Sequence, residues 1–180
     1  MAEGRTSLWN EAGRAGLILG GVSAAFLAVN SLLDEIHLPG LVAGLLSVAL
    51  WAGKLWLTIH ILTVCMRRFT DGAGKVRSLA FGFGVAASLC AGLVFGAAYF
   101  AYVAYINPES VSAAFESVMQ MYSSQLTSDQ MDAIYNMQSS FPTIAFFTQL
   151  IWCTLLGTVF SAIISARICG SDDPFDDDED

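Results

Sequence analysis

Four long apolar runs, residues 15–33, 41–65, 79–106 and 143–168, divide the chain, and polar residues collect between them instead of recurring on one face of each. A helix rises about 1.5 Å per residue and the hydrocarbon core of a bilayer is roughly 30 Å thick, so each run is long enough to cross it. The pattern predicts four membrane spans. The turn after the first, residues 34–40, is short enough to make spans one and two an antiparallel hairpin. Span three is longer than the core requires and is expected to tilt or to project. Four helices joined in this way form an all-α, integral membrane four-helix bundle, since lipid offers no partner for an unpaired backbone group.

Residues 1–14 are polar, and Ser7 is a candidate helix cap that would bring Trp9 to the interface. Residues 1–33 also have the charged start and apolar core of a signal peptide. The run is long for that role and no A-x-A-like site follows, so it is read as a retained span.

The connection 107–142 is patterned. Asn107-Pro108-Glu109 supplies a cap, a proline for the first helical position and an acid for the first turn, after which Val111, Phe115, Val118 and Tyr122 recur at helical spacing. Thr127-Ser128-Asp129-Gln130 reads as a capping box, followed by Met131, Ile134, Tyr135 and Gln138. Two short amphipathic helices between spans three and four are expected, without the basic residues usual in membrane-surface helices.

Composition agrees with the class: 55% of residues are hydrophobic, 13% are charged, and mean hydropathy is +0.59. The net charge of −8 belongs to the tail, because seven acids lie within residues 172–180. Residues 169–180 read as an acidic, solvating end. Basic residues carry the orientation. Four crossings put Arg5, Arg14, Arg67, Arg68, Lys75, Arg77 and Arg167 on one side, which predicts that both termini are cytoplasmic and that 34–40 and 107–142 face outward.

Small residues recur every fourth position in three spans: Gly16, Gly20, Ala24 and Ala28; Gly84, Ser88, Gly92 and Gly96; Gly157, Ser161, Ser165 and Cys169. Span two has Gly40 and Gly44, then a stripe through Ser47, Trp51, Lys54 and Thr58. Such faces let backbones approach closely where lipid provides no hydrophobic drive for association. They serve packing within the bundle or contact with a second copy.

Lys54 is the one charge inside a span. It lies roughly 20 Å along its helix, near mid-bilayer, where lysine costs on the order of 3 kcal/mol. No span interior offers a carboxylate, so the polar neighbours within reach are Asn30, Gln149, Thr58, Tyr99, Tyr102 and Tyr105. The plain alternative is a lysine that snorkels or sits in a small hydrated pocket. His60, about 120° round the helix, does not share its face, and with Trp56 one turn earlier it reads as interfacial packing.

Other motif-like strings carry no chemistry. Gly82-Phe83-Gly84-Val85-Ala86-Ala87 matches a dinucleotide fingerprint in letters alone, for it lies in an apolar span with no preceding strand. Cys65, Cys90, Cys153 and Cys169 occupy spans or their cytoplasmic ends and read as small packing residues. Met119, Met121, Met131 and Met137 have no His or Cys nearby to complete a soft-metal site.

Arg67-Arg68-Phe69, Ser78-Leu79-Ala80-Phe81-Gly82, the small-residue span and its close at Tyr105-Ile106-Asn107-Pro108-Glu109 resemble the four-span bacterial family known as domain of unknown function 4199. The resemblance covers nearly the whole chain except the acidic tail. It implies four spans with a methionine-rich amphipathic connection before the last, and it implies no catalytic residue. The expectation is a non-enzymatic inner-membrane protein without cofactor or metal. Its partners would be the bilayer and either a second copy or another membrane protein, with no nucleic acid. The alternative is a small oligomeric transporter or channel component in which Lys54 lines a polar pathway.

Overall fold

The computed structural model describes residues 2–36, 40–73, 76–122 and 127–169. The acidic tail beyond Cys169, Lys75 and the centre of the first turn lie outside them. Every described element is helical: α1 (Ala2–Glu35), α2 (Gly40–Ala73), α3 (Arg77–Ala101) with a π-helical turn Tyr102–Ile106, α4 (Pro108–Tyr122) and α5 (Ser128–Cys169). Four stretches are long and apolar enough to cross a membrane: Leu8–Leu33, Gly40–Gly72, Arg77–Ile106 and Asp129–Cys169. This is the make-up of a multi-pass membrane protein.

α3 is the axis of the assembly. One side of it runs parallel to α1: Gly16 lies against Ala87, Cys90 and Ala91, and one turn later Gly20 lies against Ala91 and Val94. The other side runs antiparallel to α5, where Gly84 meets Ser161, Ser88 meets Gly157, Gly92 meets Leu150 and Cys153, and Gly96 meets Phe146. Many of these contacts are made to backbone or to first side-chain atoms. A methyl group placed on Gly20 would stand 2.9 Å from the Ala91 carbonyl oxygen, and one on Gly96 3.2 Å from that of Phe146. Neither carbonyl can move aside, so glycine is needed for the helices to lie this close.

Hydroxyls within the spans turn back on their own helices, which spares them an unpaired donor in lipid. Thr63 donates to the Ile59 carbonyl at 2.7 Å, Ser88 to Gly84 at 2.8 Å, and Thr154 and Thr158 to Leu150 and Thr154 at 2.7 Å each. Not every hydroxyl does so, and among the described residues the Ser161 Oγ is the fully buried one left without a hydrogen-bond partner, against Gly84.

The hydrophobic core lies toward the arginine-bearing end, where Ala12, Ala15 and Leu19 of α1, Leu62 and Met66 of α2, Phe83 and Ala87 of α3 and Ile164 of α5 come together. α2 joins the bundle only there. Leu62, Met66 and Thr70, spaced one turn apart, are its buried residues, and none of the described side chains between 40 and 61 is buried. Along the stripe read in the sequence, Thr58 and Lys54 are half-buried while Trp51, Ser47, Gly44 and Gly40 are exposed. α2 therefore diverges from α3 toward its N-terminal end.

Three boundaries differ from the sequence reading. α1 begins at Ala2 and passes through Ser7, so residues 2–14 extend the first span as helix. α2 continues past residue 65 to Ala73, which puts Arg67 and Arg68 on a helix. The second short amphipathic helix is not separate, because residues 128–142 and span four form one 42-residue helix with Pro142 inside it. Proline removes a single donor and fits helical φ. The Phe115 and Phe141 rings meet edge-on at 5.7 Å beside it, which braces the helix at that point.

The rest of the connection between spans three and four follows its start signals. The Asn107 Oδ1 accepts from the Ser110 N–H at 3.3 Å and opens α4; the Gln130 Oε1 accepts from the Thr127 N–H at 2.9 Å and opens α5. α4 folds back along the first turns of α5, held by Gln138 Nε2 donating to Ser112 Oγ at 3.1 Å. The covered side of α4 is Val111, Ser112, Phe115 and Met119, while Val118 and Tyr122, expected on that side, are exposed.

Gly157→Ala is expected to lower stability in detergent by about 1–3 kcal/mol, the usual cost of overpacking. Gly53→Ala, where nothing lies within 4 Å, should be neutral or raise it by up to about 1 kcal/mol through helix propensity. Ser161→Ala removes an orphaned hydroxyl and should leave stability unchanged or higher. Thermal unfolding of the three variants tests the packing; equal losses at Gly157 and Gly53 would contradict it.

Candidate functional site

Lys54 is the centre of the candidate site because it is the one formally charged side chain within the apolar runs 15–33, 41–65, 79–106 and 143–166. Its position on the stripe that Thr58 and Leu62 continue toward the core turns it inward. The ammonium lies over the face of Phe95 of α3, with Nζ 4.5 Å from the ring centroid, and Cys153 of α5 packs beside Gly92, one turn before that ring. Lys54 therefore faces the junction of α2, α3 and α5, half-buried, and not the lipid side of α2.

From Phe95 a line of aromatic rings climbs α3. Phe95 and Tyr99 stand 6.2 Å apart and Tyr99 and Tyr102 6.4 Å apart, both tilted. The line ends where α3 widens into its π turn. There the Asn107 N–H donates to the Tyr102 carbonyl at 2.9 Å and the Asn107 Nδ2 to the Tyr102 hydroxyl at 3.0 Å. Asn107 thus closes α3, opens α4 and anchors the polar end of the aromatic line.

The other sequence candidates do not join Lys54. Asn30 is exposed on α1, Gln149 is half-buried on α5, and no hydrogen bond or ion pair links either to Lys54 among the described residues. His60 is exposed and stacks on Trp56, with ring centroids 5.4 Å apart and planes 10° from parallel. Tyr105 points away, 78% exposed. The neighbours that matter, Phe95 and Cys153, were not among the expected ones. One signal for Phe95 was present: it sits between Gly92 and Gly96, the residues that bring α5 close.

Magnitudes decide what this arrangement does. A cation over a ring recovers about 0.5–2 kcal/mol, against a cost on the order of 3 kcal/mol for lysine at mid-span. The ring offsets part of the cost and leaves Lys54 a net burden on folding. What the junction offers chemically is a half-buried cation held beside an aromatic face. Among the described residues no group of three His, Cys, Asp or Glu converges.

Lys54→Leu is accordingly expected to raise stability in detergent by about 1–2 kcal/mol. In a double-mutant cycle, Phe95→Leu should couple to Lys54→Leu by about 0.5–2 kcal/mol. Zero coupling would place the ammonium elsewhere.

No curated protein and no solved structure matches the chain. The family described as Protein of unknown function (DUF4199) matches residues 14–169, from Arg14 on α1 to the end of α5, and the chain belongs to that family.

Proposed function

We propose that the protein is a non-enzymatic accessory component of the bacterial inner membrane that acts through contacts with another membrane protein or a second copy of itself. The observation that carries this reading is the free half of α2. Gly16, Gly20, Gly84, Gly92, Gly96 and Gly157 of the three-helix unit each meet a neighbouring helix, while Gly13, Gly21 and Gly82 of that unit, like Gly40 and Gly44 of α2, have nothing within 4 Å; Gly40 and Gly44 differ in lying one turn apart on a stripe of small residues. Glycine costs a helix about 1 kcal/mol relative to alanine. Two on one exposed face, continued by Ser47 and Trp51, are accounted for by a backbone that approaches from outside the chain. The basic residues at one end of the spans support cytoplasmic termini, with α4 and the first turns of α5 on the outer side.

A second reading is favoured by Lys54 itself, which turns inward against Phe95 and not outward to lipid. It makes the protein part of an oligomeric transporter or channel in which the junction of α2, α3 and α5 lines a path for anions.

A photo-activated cross-linker at position 44 is expected to capture one discrete membrane-protein partner or a second copy, and Gly44→Leu to abolish capture. Capture of lipid alone contradicts the accessory reading. A cysteine replacing Ser117 should react with an impermeant reagent on intact spheroplasts and one replacing Ser78 should not; the reverse overturns the orientation. If Lys54→Leu still complements the phenotype of a deletion, the transport reading falls and the contact reading stands.

A further inference from the structure

At the arginine-bearing end a cavity of about 440 Å³ opens between α1, α2 and α3. Its rim carries Arg14 and Glu11 from α1 and Arg68 from α2; its walls are apolar and include Ile18, Phe69 and Phe83. Phe69 and Phe83 stack with centroids 4.4 Å apart, which gives the cavity one flat, rigid side. Among the described residues Glu11 pairs with Arg14, at a loose 3.7 Å between exposed side chains. Two guanidiniums and one carboxylate leave the rim with excess positive charge.

Depth along the helices matters as much as charge. Arg14 immediately precedes the first apolar run and Arg68 follows the second by three residues, so both guanidiniums stand where the hydrocarbon core gives way to headgroups. Below them the wall passes directly to Ile18 and the stacked rings. A soluble anion would satisfy the rim and leave the apolar wall uncovered. A molecule with an anionic phosphate joined to an acyl chain satisfies both, with the phosphate taking the guanidinium forks and the chain lying along Ile18. We propose that this cavity is a binding site for the phosphate headgroup of an anionic phospholipid. The site is separate from the free half of α2 and from Lys54. It rests on the protein spanning a membrane and not on either functional reading above.

The test uses the full-length protein in micelles that contain phosphatidylglycerol and phosphatidylcholine, with retained lipids counted by native mass spectrometry. Wild type should hold phosphatidylglycerol in preference to phosphatidylcholine, and the Arg14→Ala/Arg68→Ala double variant should lose that retention by about tenfold or more. Arg77→Ala, at the same end but lining a different cavity, should bind as wild type does. Inorganic phosphate in excess should not displace the lipid. The Arg14 side chain is 71% exposed, so folding is not at stake in its loss, and the unfolding temperature of each variant is recorded alongside. Undiminished retention in the double variant overturns the site. An equal loss in Arg77→Ala shows a diffuse basic surface instead, and displacement by inorganic phosphate shows a soluble-anion site; either result overturns the proposal.

Discussion

The close approach of the α3 backbone to α1 on one side and to α5 on the other is the constraint on which the rest of the structure depends. In lipid, helices gain nothing by hiding apolar side chains from one another, so association rests on the number of atoms brought into contact. Gly16, Gly20, Gly84, Gly92, Gly96 and Gly157 supply it by leaving no Cβ between the helices. Ser88 fits the same geometry because its hydroxyl folds onto the Gly84 carbonyl. Gly84, Gly92 and Gly96 face α5, while Ala87, Cys90, Ala91 and Val94 face α1, so one helix organises two interfaces.

α2 stands outside this arrangement. It is pinned by Leu62, Met66 and Thr70 at the arginine-bearing end and is released above them. Gly40, Gly44 and Gly53, the exposed tryptophans at 51 and 56 and the half-buried lysine lie on the part of α2 where no described side chain is buried. A segment with few buried contacts is the one that can change partner or position at small cost. The functional readings and the lipid site all involve α2 for this reason: its free half exposes the small stripe, its middle carries Lys54, and its anchored end forms one wall of the arginine-rimmed cavity.

Much of this was legible in the sequence. Spans appear as unbroken apolar runs because lipid imposes length and composition together, and the small residues of spans one, three and four recur at a spacing that only a shared face explains. The start signals at Asn107 and Thr127 were readable because capping is local. What was not legible depends on neighbours. Pro142 reads as a boundary, yet the helix continues through it beside Phe115 and Phe141. Phe95 looked like one more apolar residue until α2 placed an ammonium over its ring. Arg14 and Arg68 carried orientation in the sequence, and only the packing of α1 against α2 and α3 brings them to one rim. The divergence of α2 had no signal at all, since Gly40 and Gly44 carry the same spacing as glycines that are packed.

The most direct test of α3 as the axis uses a cysteine the protein already has. A Cβ built on Gly92 stands 3.3 Å from the Cys153 Cβ, just short of the roughly 3.5–4.5 Å that a disulfide spans, so a small outward shift suffices. Mild oxidation of Gly92→Cys in membranes should close an intramolecular disulfide to Cys153, seen by mass spectrometry as a linked peptide pair. Gly53→Cys, on the unpacked part of α2, should form none. Failure of Gly92→Cys to link, or equal linkage from position 53, would contradict the account.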